Sequence, residues 1–554
     1  MAEKRSNGNN FIMQAGILAA AGIISRIIGL LYRSPLHSVI GSGGLGYYQE
    51  AHSYYTIILL ISSYSIPSAI SKVIAQKLAV KEYRNAHRIF KCALAYVLVV
   101  GGIASLILFF GAGLFVEQAA IPVLRTFAPT IFVYGMLGVL RGYFQAHKSM
   151  VQTSVSQILE QIANAVVSVG AAYLMIQGVM GTLEYPTQDS DKVTRAVTGA
   201  IGSALGTGAG VLVALLFMLG IYALNRGMIQ RRIKRDRHAR VDSYGSIIKM
   251  ITLVVTPFIL STAINNLSVS VNTKIYKSFY PRFKGLDSMV ITENWGLFAG
   301  QAQTISNIPT AFASAMSAAM IPAVAQLIAA KDLSGARQKI GLAVKTTMVL
   351  SIPCAVGILV LAKPITNLLF PSNSESELEL SARVLMALAL SVVFYSLSTL
   401  NSTILQGLGK VNAPIKNAAV ALVVQTVTAV SLLYYTDLDL YSIAIANTLY
   451  SGIMCLLNQW SVYRAVGYRQ EMVRTFFIPG LASAFMGAAA WAVYEGLLLV
   501  TKSMTIAVIP AVLVAVLVYF VMLIVMRGVT EQELRGFPKG YLLVRVAKKC
   551  RLMK

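Results

Sequence analysis

The sequence has few charged residues. Asp, Glu, Lys and Arg make up only 12% of its 554 residues, whereas soluble globular proteins carry about 25%. Hydrophobic residues make up 56%. This composition excludes a soluble enzyme, and it also excludes a disordered chain, because disordered segments are poor in apolar residues. The composition instead predicts an all-α polytopic membrane protein.

Cysteines and catalytic motifs are also scarce. Cys92, Cys354, Cys455 and Cys550 lie far apart, without the spacing of a zinc site or a disulfide framework. The segment Gly41–Gly46 matches GxGxxG, but no strand precedes it, which argues against a dinucleotide site. The sequence contains no P-loop and no nucleophilic serine or cysteine arrangement. We therefore predict no cofactor and no metal, and we expect any transport to be secondary.

Acidic residues are few, with 22 Asp and Glu against 47 Lys and Arg and a net charge of +25. Such an excess can indicate nucleic-acid binding. Here the basic residues lie between apolar runs, for example at 231–237 and 535–554. This is the pattern of cytoplasmic loops beside anionic lipids. We therefore predict membrane lipids, and no nucleic acid, as partners.

Fourteen segments are long and apolar enough to be membrane spans, which need about 20 residues each. If the N-terminus is placed inside, most of the lysines and arginines fall on inner segments. A miscounted span would invert the sign of every later loop, so the bias favours fourteen spans with both termini in the cytoplasm of a bacterial cell. The predicted spans are 11–32, 46–67, 90–116, 121–144, 151–177, 195–224, 247–273, 294–325, 340–362, 380–407, 414–435, 440–463, 474–499 and 504–526.

Two short motifs indicate an internal duplication. Ile66–Ala69 on span 2 is similar to Ile321–Val324 on span 8, and Phe144–Ala146 after span 4 is similar to Leu405–Gly407 after span 10. The copies lie six spans apart, so the repeats would be parallel, as in two-lobed transporters. The predicted parts are an N-terminal lobe 1–240 (spans 1–6), a C-terminal lobe 241–470 (spans 7–12), spans 13 and 14 at 471–527, and a basic cytoplasmic tail 528–554.

Arg26 and Arg33 are candidate substrate-binding residues. Arg26 lies deep in span 1, where an arginine costs at least about 2.5–3.5 kcal/mol on insertion scales. It is therefore expected to face a water-filled cavity, although an ion pair with Glu50 or Glu160 would also satisfy it. Arg33 follows two helical turns later on the same face, though snorkelling would also explain it. Two guanidinium groups in a row suit a diphosphate, because each can bind phosphate oxygens bidentately.

Span 5 carries a polar stripe that is expected to face the bundle interior. Gln157, Glu160, Gln161 and Asn164 are spaced at i, i+3, i+4 and i+7, which places them on one helical face. They either line the cavity or bind neighbouring helices. Gly202, Gly206 and Gly210 on span 6 form GxxxGxxxG, which predicts close helix packing.

Other polar residues are distributed over spans 2, 7 and 8. Glu50 and His52 begin span 2 and could tune the cavity, take part in proton coupling, or belong to an interfacial aromatic belt. Span 8 carries Pro309 and the candidate binding residues Gln303 and Asn307, and span 7 carries Pro257, Asn265 and Asn266. Proline-interrupted helices at corresponding places in two halves point to a binding site, but proline can also simply bend a packed helix.

Three segments together resemble the MOP exporter superfamily. They are Ser25-Arg26-x-x-Gly29 with Arg33, then Leu45-Gly46-Tyr47-Tyr48, then Ile66–Lys72. Within that superfamily the chain resembles the polysaccharide-biosynthesis group, which includes MurJ-type lipid II flippases and stage V sporulation protein B. The resemblance covers essentially the whole chain, and it implies that Arg26 and Arg33 correspond to cavity arginines of the family.

The sequence also departs from that family. Members from Gram-negative bacteria have cavity arginines on spans 2 and 8, where this chain has His52 or Ser53, and Thr304. Some members bind sodium through aspartates on spans 7 and 11, where this chain has only asparagines, including Asn417. These departures favour a Gram-positive, sporulation-protein-like branch.

The resemblance implies a flippase that moves an undecaprenyl-diphosphate-linked glycan, such as lipid II, to the outer leaflet by alternating access. The membrane potential, Na⁺ or H⁺ are open as driving forces, and cell-wall synthesis proteins are further candidate partners. Alternatives are a flippase for another lipid-linked polysaccharide unit, a cation-coupled multidrug exporter, and a non-transporting scaffold of wall synthesis or sporulation. A membrane glycosyltransferase would need a large outer loop, and the outer loops here are short.

Overall fold

The chain folds into helices throughout its described part. The computed structural model describes residues 20–531 and 545, except 65, 148, 183–185, 187, 237–240, 330 and 411. Ten helices within these residues are long and apolar enough to cross a membrane, and the described ranges contain no strand. The chain is therefore an all-helical, multi-span membrane protein, as its composition predicts.

The described residues of the first half of the chain form eleven α-helices. A 3₁₀ turn at Gln118–Ala120 precedes the sixth, and π-helical segments follow the second and ninth at Leu60–Tyr64 and Ile275–Phe279. The α-helices are α1 (Ala20–Leu31), α2 (Arg33–Leu59), α3 (Ile66–Ala79), α4 (Tyr83–Phe110), α5 (Ala112–Phe115), α6 (Ile121–Ala146), α7 (Val151–Met180), α8 (Asp189–Arg235), α9 (Tyr244–Lys274), α10 (Tyr280–Lys284) and α11 (Ser288–Trp295).

Seven further α-helices complete the described chain. π-helical segments at Gly296–Ala302 and Val473–Phe477 lead into the first and sixth of them. They are α12 (Gln303–Ala329), α13 (Leu333–Leu369), α14 (Glu375–Gly407), α15 (Asn412–Tyr435), α16 (Leu440–Val466), α17 (Ile478–Thr501) and α18 (Met504–Val525).

The ten apolar helices coincide with predicted spans 3–6 and 9–14; they are α4, α6, α7, α8 and α13–α18. Predicted spans 1, 2, 7 and 8 overlap α1, α2, α9 and α11 with α12. The start of span 1, the side chains at 253–265 in α9 and several side chains in α12 lie outside the described residues. The predicted count of fourteen spans therefore stays a prediction.

Residues Met1–Gly296 form one compact unit. Its core packs α3, α4, α6 and α8 together through side chains such as Ile74, Phe90, Leu140 and Met218. The second core of this unit joins α2 to α4, α6 and α8 around Phe127. This packing fixes the polar residues of α2, α7 and α8 relative to one another.

The glycine-rich segment of α2 forms a helix break and a close helix contact. Gly41 has φ 69° and ψ 179°, a conformation that essentially only glycine adopts, and it divides α2 into two helical parts. A Cβ on Gly46 would lie 2.0 Å from the Thr292 carbonyl oxygen of α11. The GxGxxG spacing thus serves backbone geometry and packing within a helical segment.

Residues Leu297–Lys554 form the second compact unit. One core packs α12, α13, α14 and α16 around Val344 and Leu400. The pair α17 and α18 packs on α13, where the Tyr519 hydroxyl donates to the Val349 carbonyl oxygen at 2.7 Å. Most of the predicted basic tail lies outside the described residues.

The predicted repeat and lobe boundaries stay predictions. The second motif ends a helix in both copies, α6 at Ala146 and α14 at Gly407, as a repeat requires. However, α9 and α11, which the sequence assigns to the C-terminal lobe, pack on helices of the first compact unit: α9 contacts α2, α3 and α4, and α11 contacts α2.

Candidate functional site

The first unit contains a cavity of about 320 Å³ among α2, α6, α7 and α8. Four of the predicted site residues line it, namely Arg33, His52, Glu160 and Asn164. The other polar residues of its wall are Tyr32, Tyr48, Tyr55, Thr56, Tyr134, Gln161 and Thr207. Residues from sequence positions far apart thus meet at one polar site inside a unit of membrane helices.

The two predicted arginines have different environments. Tyr32, between α1 and α2, keeps helical angles of φ −71° and ψ −18°, so the path from Arg26 to Arg33 is helical as predicted. Arg33 is half-buried and lines the cavity, whereas Arg26 is exposed. Glu50 and Glu160, the alternative partners of Arg26, form ion pairs with other residues, which are described below.

Glu160 of α7 forms an ion pair with Arg141 of α6. The Arg141 Nη2 lies 2.7 Å from the Glu160 Oε2, and the Arg141 Nε donates to the Ser156 Oγ at 2.9 Å. Arg141 is only 5% exposed. This arginine lies near the inner end of predicted span 4, and α6 continues beyond it to Ala146 and buries it. The signal in the sequence was Glu160 on the next span. A short loop joins the two spans, so it can bring this acid opposite the arginine.

The polar stripe of α7 faces the cavity in part. Glu160, Gln161 and Asn164 line the cavity, and the Asn164 Oδ1 accepts a hydrogen bond from the Ser168 Oγ at 2.9 Å. Gln157 does not line it, and its buried Oε1 has no hydrogen-bond partner among the described residues.

The glycine motif of α8 holds α7 in place. A Cβ on Gly206 would lie 2.1 Å from the Ser168 Oγ and 2.4 Å from its backbone nitrogen. A Cβ on Gly210 would lie 2.5 Å from the Glu160 carbonyl oxygen. The predicted close packing is confirmed, and it sets the position of the stripe that carries Glu160.

His52 lies in an aromatic environment at the cavity. Its ring stacks on Tyr48 at a centroid distance of 5.5 Å and meets the edge of Phe127 at 5.7 Å. Its Nδ1 is 3.5 Å from the Thr56 Oγ1. The Tyr48 hydroxyl in turn lies 3.1 Å from the Thr207 Oγ1, so α2 and α8 are joined by a polar contact at this wall.

Glu50 lies in a separate buried charge cluster. Its Oε2 is 2.5 Å from the Lys277 Nζ, and the two side chains are 2% and 1% exposed. Lys277 also lies 3.7 Å from the Glu117 Oε2 and 4.7 Å from the centre of the Tyr47 ring. The Glu117 backbone N–H donates to the Glu50 Oε1 at 3.1 Å. Burial raises the pKa of the Glu117 carboxyl, and Lys277 partly opposes that shift.

Lys277 was missed because predicted span 7 ended at residue 273. In the structure a π-helical segment, Ile275–Phe279, extends the helix and buries the lysine. π-segments occur frequently at functional sites. The sequence did contain a signal for Lys277. It lies among apolar residues on the predicted outer side, where the positive-inside rule expects few lysines and arginines.

Gln303 and Asn307 begin α12 of the second unit, where Gln303 is half-buried and Asn307 is exposed. The nearby Gln301 is fully buried and exchanges two amide hydrogen bonds with Asn373, at 2.9 and 3.0 Å. In span 7, the side chains of Pro257 and Asn265 lie outside the described residues. A binding role of Gln303 and Asn307 therefore stays a prediction.

The described residues include no group of three or more His, Cys, Asp and Glu side chains placed to hold a metal ion. Asn417 of α15, considered above as a sodium-site position, donates to the Asn458 Oδ1 at 2.8 Å and to the Ser461 Oγ at 3.1 Å. These contacts join α15 to α16.

Comparisons with known proteins agree on one family. The family described as "Lipid II flippase MurJ" matches residues 115–509. The lipid II flippase MurJ of Bacillus subtilis is 23% identical over 492 residues, which cover 85% of this chain and 86% of that protein. Stage V sporulation protein B of Bacillus subtilis is 22% identical over 549 residues, which cover 97% of this chain and 99% of that protein.

Solved structures show the same fold. A lipid II flippase MurJ in an inward closed conformation aligns with a TM-score of 0.62 at 15% identity, covering 91% of this chain and 97% of that one. A multidrug resistance MATE family transporter of the MOP superfamily, in an inward-facing conformation, aligns with a TM-score of 0.62 at 16% identity, covering 80% and 95%. The resemblance to MurJ-type proteins noted in the sequence is confirmed, and the chain belongs to the MurJ family.

Proposed function

We propose that this protein is a flippase that moves an undecaprenyl-diphosphate-linked glycan, lipid II in the first instance, from the inner to the outer leaflet. The observation that carries this proposal is the polar cavity inside a unit of membrane helices, with Arg33 in its wall. Among the described residues that line this cavity, Arg33 and Glu160 are charged, and Glu160 is already paired with the buried Arg141. The Arg33 guanidinium therefore attracts a diphosphate, which arginine can bind bidentately.

Arg26 and Arg33 have successive roles in this mechanism. Arg26 is exposed on α1 and makes the first contact with the diphosphate, and Arg33, two turns further along, receives it at the cavity. The lipid tail stays in the membrane, because burying it in a polar cavity would forfeit about 0.8 kcal/mol per CH₂ group. The membrane potential is worth about 2.3 kcal/mol per charge per 100 mV, so it can drive the anionic diphosphate outward.

The Glu50–Lys277 pair fits alternating access. On the predicted division at residues 240 and 241, Glu50 and Glu117 belong to one lobe and Lys277 to the other. All three lie at the predicted outer end of their spans. Opening that end would separate Lys277 from both acids. The cluster would therefore hold the outer side closed until the free energy of substrate binding offsets the loss of these ion pairs.

Two alternatives are less well supported. The relative that covers nearly the whole chain is a sporulation protein, which keeps a different lipid-linked glycan open as the substrate. The likeness to a multidrug transporter is one of fold alone, at 16% identity. A non-transporting scaffold would gain nothing from placing an arginine in a polar cavity inside the membrane unit.

The substrate is tested by complementation. A bacterial strain depleted of its lipid II flippase is expected to grow when it expresses this protein, and not when it expresses the Arg33→Ala variant at an equal membrane level. Arg383→Ala, at an exposed position of α14, is the matched control and should rescue growth. Failure of the well-expressed wild type would show that lipid II is not the substrate.

A further inference from the structure

A second pocket of the first unit has a volume of about 290 Å³. It lies where α4 and α7 begin and where α6 and α8 end, on the side that the loop charges predict to be cytoplasmic. It shares no lining residue with the cavity around Arg33 and Glu160. No step of the transport mechanism above uses it.

The pocket is lined by hydrogen-bond donors and basic groups. Arg232, His87 and His147 contribute to its wall, together with the amide of Gln152. None of the described residues that line it is acidic. Burial and the nearby charge of Arg232 lower the pKa of His147, so a bound anion would favour proton uptake by this ring.

The nearest acids are engaged outside the pocket. Glu82 and Asp242 both bind Lys77, at 2.9 and 2.7 Å. Asp236 accepts a hydrogen bond from the Arg84 backbone N–H at 2.8 Å. These carboxylates therefore leave the positive character of the pocket in place.

Helix geometry adds to this character. α7 has 30 residues and begins at the pocket, where Gln152 lies in its first turn. The first N–H groups of a helix have no partner within the helix and attract phosphate groups. The end of α6 opposes this effect in part, but there the His147 Nδ1 lies 2.9 Å from the Tyr143 carbonyl oxygen.

His87 provides independent evidence for a ligand. Its Nδ1 is buried and has no hydrogen-bond partner among the described residues. A buried polar atom without a partner costs about 1–3 kcal/mol, so such atoms need an explanation. Because His87 lines the pocket, a ligand oxygen there would give this nitrogen a hydrogen-bond partner when the ring carries its proton on Nδ1.

A lipid-facing stripe leads to the pocket along α8. Leu224, Met228 and Arg232 are spaced at i, i+4 and i+8, so they lie on one face of the helix. Leu224 is 83% exposed and Met228 is 50% exposed. An apolar surface that ends in an arginine matches a lipid whose acyl chain lies along the helix and whose headgroup lies at its end.

We propose that this pocket binds the phosphate group of an anionic phospholipid of the inner leaflet. Arg232 and His87 hold the phosphate, the first turn of α7 adds N–H donors, and the acyl chain lies along Leu224 and Met228. The pocket volume is at the lower end of small-molecule sites, which suits a headgroup. Bound lipid would join α4, α6, α7 and α8 at this face and stabilise the first unit.

The test uses the full-length protein in neutral detergent. Native mass spectrometry measures the affinity for phosphatidylglycerol and for diacylglycerol with the same acyl chains. The wild type is expected to prefer phosphatidylglycerol, and Arg232→Gln is expected to bind it roughly tenfold more weakly, as for the loss of a hydrogen bond to a charged group. Arg231→Gln removes the same charge from the adjacent position outside the pocket and should bind like the wild type.

Further variants and ligands distinguish a defined binding site from attraction by diffuse surface charge. His87→Phe keeps the ring stacked near Phe90 but removes its nitrogens, and it should also weaken binding. Equal weakening by Arg231→Gln and Arg232→Gln would overturn the proposal, as would equal affinity for diacylglycerol. If inorganic phosphate alone binds in an Arg232-dependent way and phosphatidylglycerol binds no better, the lipid is not the ligand.

Discussion

Arg141 and Glu160 show how a membrane helix carries a charge inside a packed unit. Each would be expensive alone in apolar surroundings, but together they form an ion pair, and Ser156 binds a further nitrogen of Arg141. The Glu160 side chain remains 17% exposed at the cavity. The pair therefore holds a carboxylate at the cavity wall in one orientation.

Removing Arg141 alone should leave Glu160 without its partner. Arg141→Met is expected to lower the free energy of unfolding by about 2–3 kcal/mol, because a partly buried charge is left unpaired. The double variant Arg141→Met with Glu160→Gln should recover much of the loss. Thermal unfolding in detergent measures both. A double variant as unstable as the sum of the singles would mean that the pair is not coupled.

The same reasoning applies to Lys277 and Glu50, which are nearly fully buried. Lys277→Met is expected to destabilise the protein by about 3–5 kcal/mol, and adding Glu50→Gln should restore part of that stability.

If the cluster also holds the outer side closed, the double variant should label more readily at outward-facing reporter cysteines. Unchanged labelling in a folded double variant would contradict the gating role.

Glu117 gives this cluster a pH dependence. Burial raises the pKa of its carboxyl, so the folded protein takes up the proton at a higher pH than the unfolded chain does. Stability should therefore fall as pH rises from the ordinary glutamate pKa through the raised one. Glu117→Gln is expected to flatten the Tm profile above the ordinary glutamate pKa and to raise the Tm on the high-pH side of the raised one. Glu495→Gln, at an exposed position, is the control, and an unaltered profile for Glu117→Gln would exclude the effect.

At the scale of elements, α7 and α8 depend on glycine for their contact. Gly206→Ala would force a Cβ into the Ser168 backbone, so the helices must separate and move Glu160 with them. We expect a loss of roughly 1–3 kcal/mol in the free energy of unfolding. Gly220→Ala on the same helix, where a Cβ meets nothing within 4 Å, should be neutral or slightly stabilising. Equal effects of the two substitutions would mean that helix propensity, and not packing, controls this contact.

Helix periodicity explains which parts of the site could be predicted. Glu160 and Asn164 share a face by spacing alone, and both line the cavity. Lys277 falls outside predicted span 7, because hydropathy ends a span at its first charged residues, whereas the helix continues through a π-segment to Phe279. Arg141 lies within predicted span 4, but the sequence does not show that it is buried against Glu160. The partner of a buried charge depends on tertiary packing, which a single sequence does not encode locally.

At the scale of the whole molecule, composition and motif resemblance were sufficient for the fold class and the family. The described chain is all-helical, and the family assignment covers residues 115–509. The division into lobes stays a prediction. Sequence repeats place a boundary near residue 240, whereas packing assigns α9 and α11 to the first compact unit. Contacts such as Glu50–Lys277 across a predicted boundary cannot be inferred from a repeat of short motifs.

The central claim is that Arg26 and Arg33 guide a diphosphate-linked lipid across the membrane. The most direct measurement is the amount of lipid II exposed on the outer leaflet of intact, flippase-depleted cells that express the protein. Wild type and Arg383→Ala should restore exposure, whereas Arg26→Ala and Arg33→Ala should each reduce it at least tenfold at equal membrane levels, as for the loss of a charged hydrogen-bond donor. Full exposure of lipid II with both arginines replaced would contradict the account.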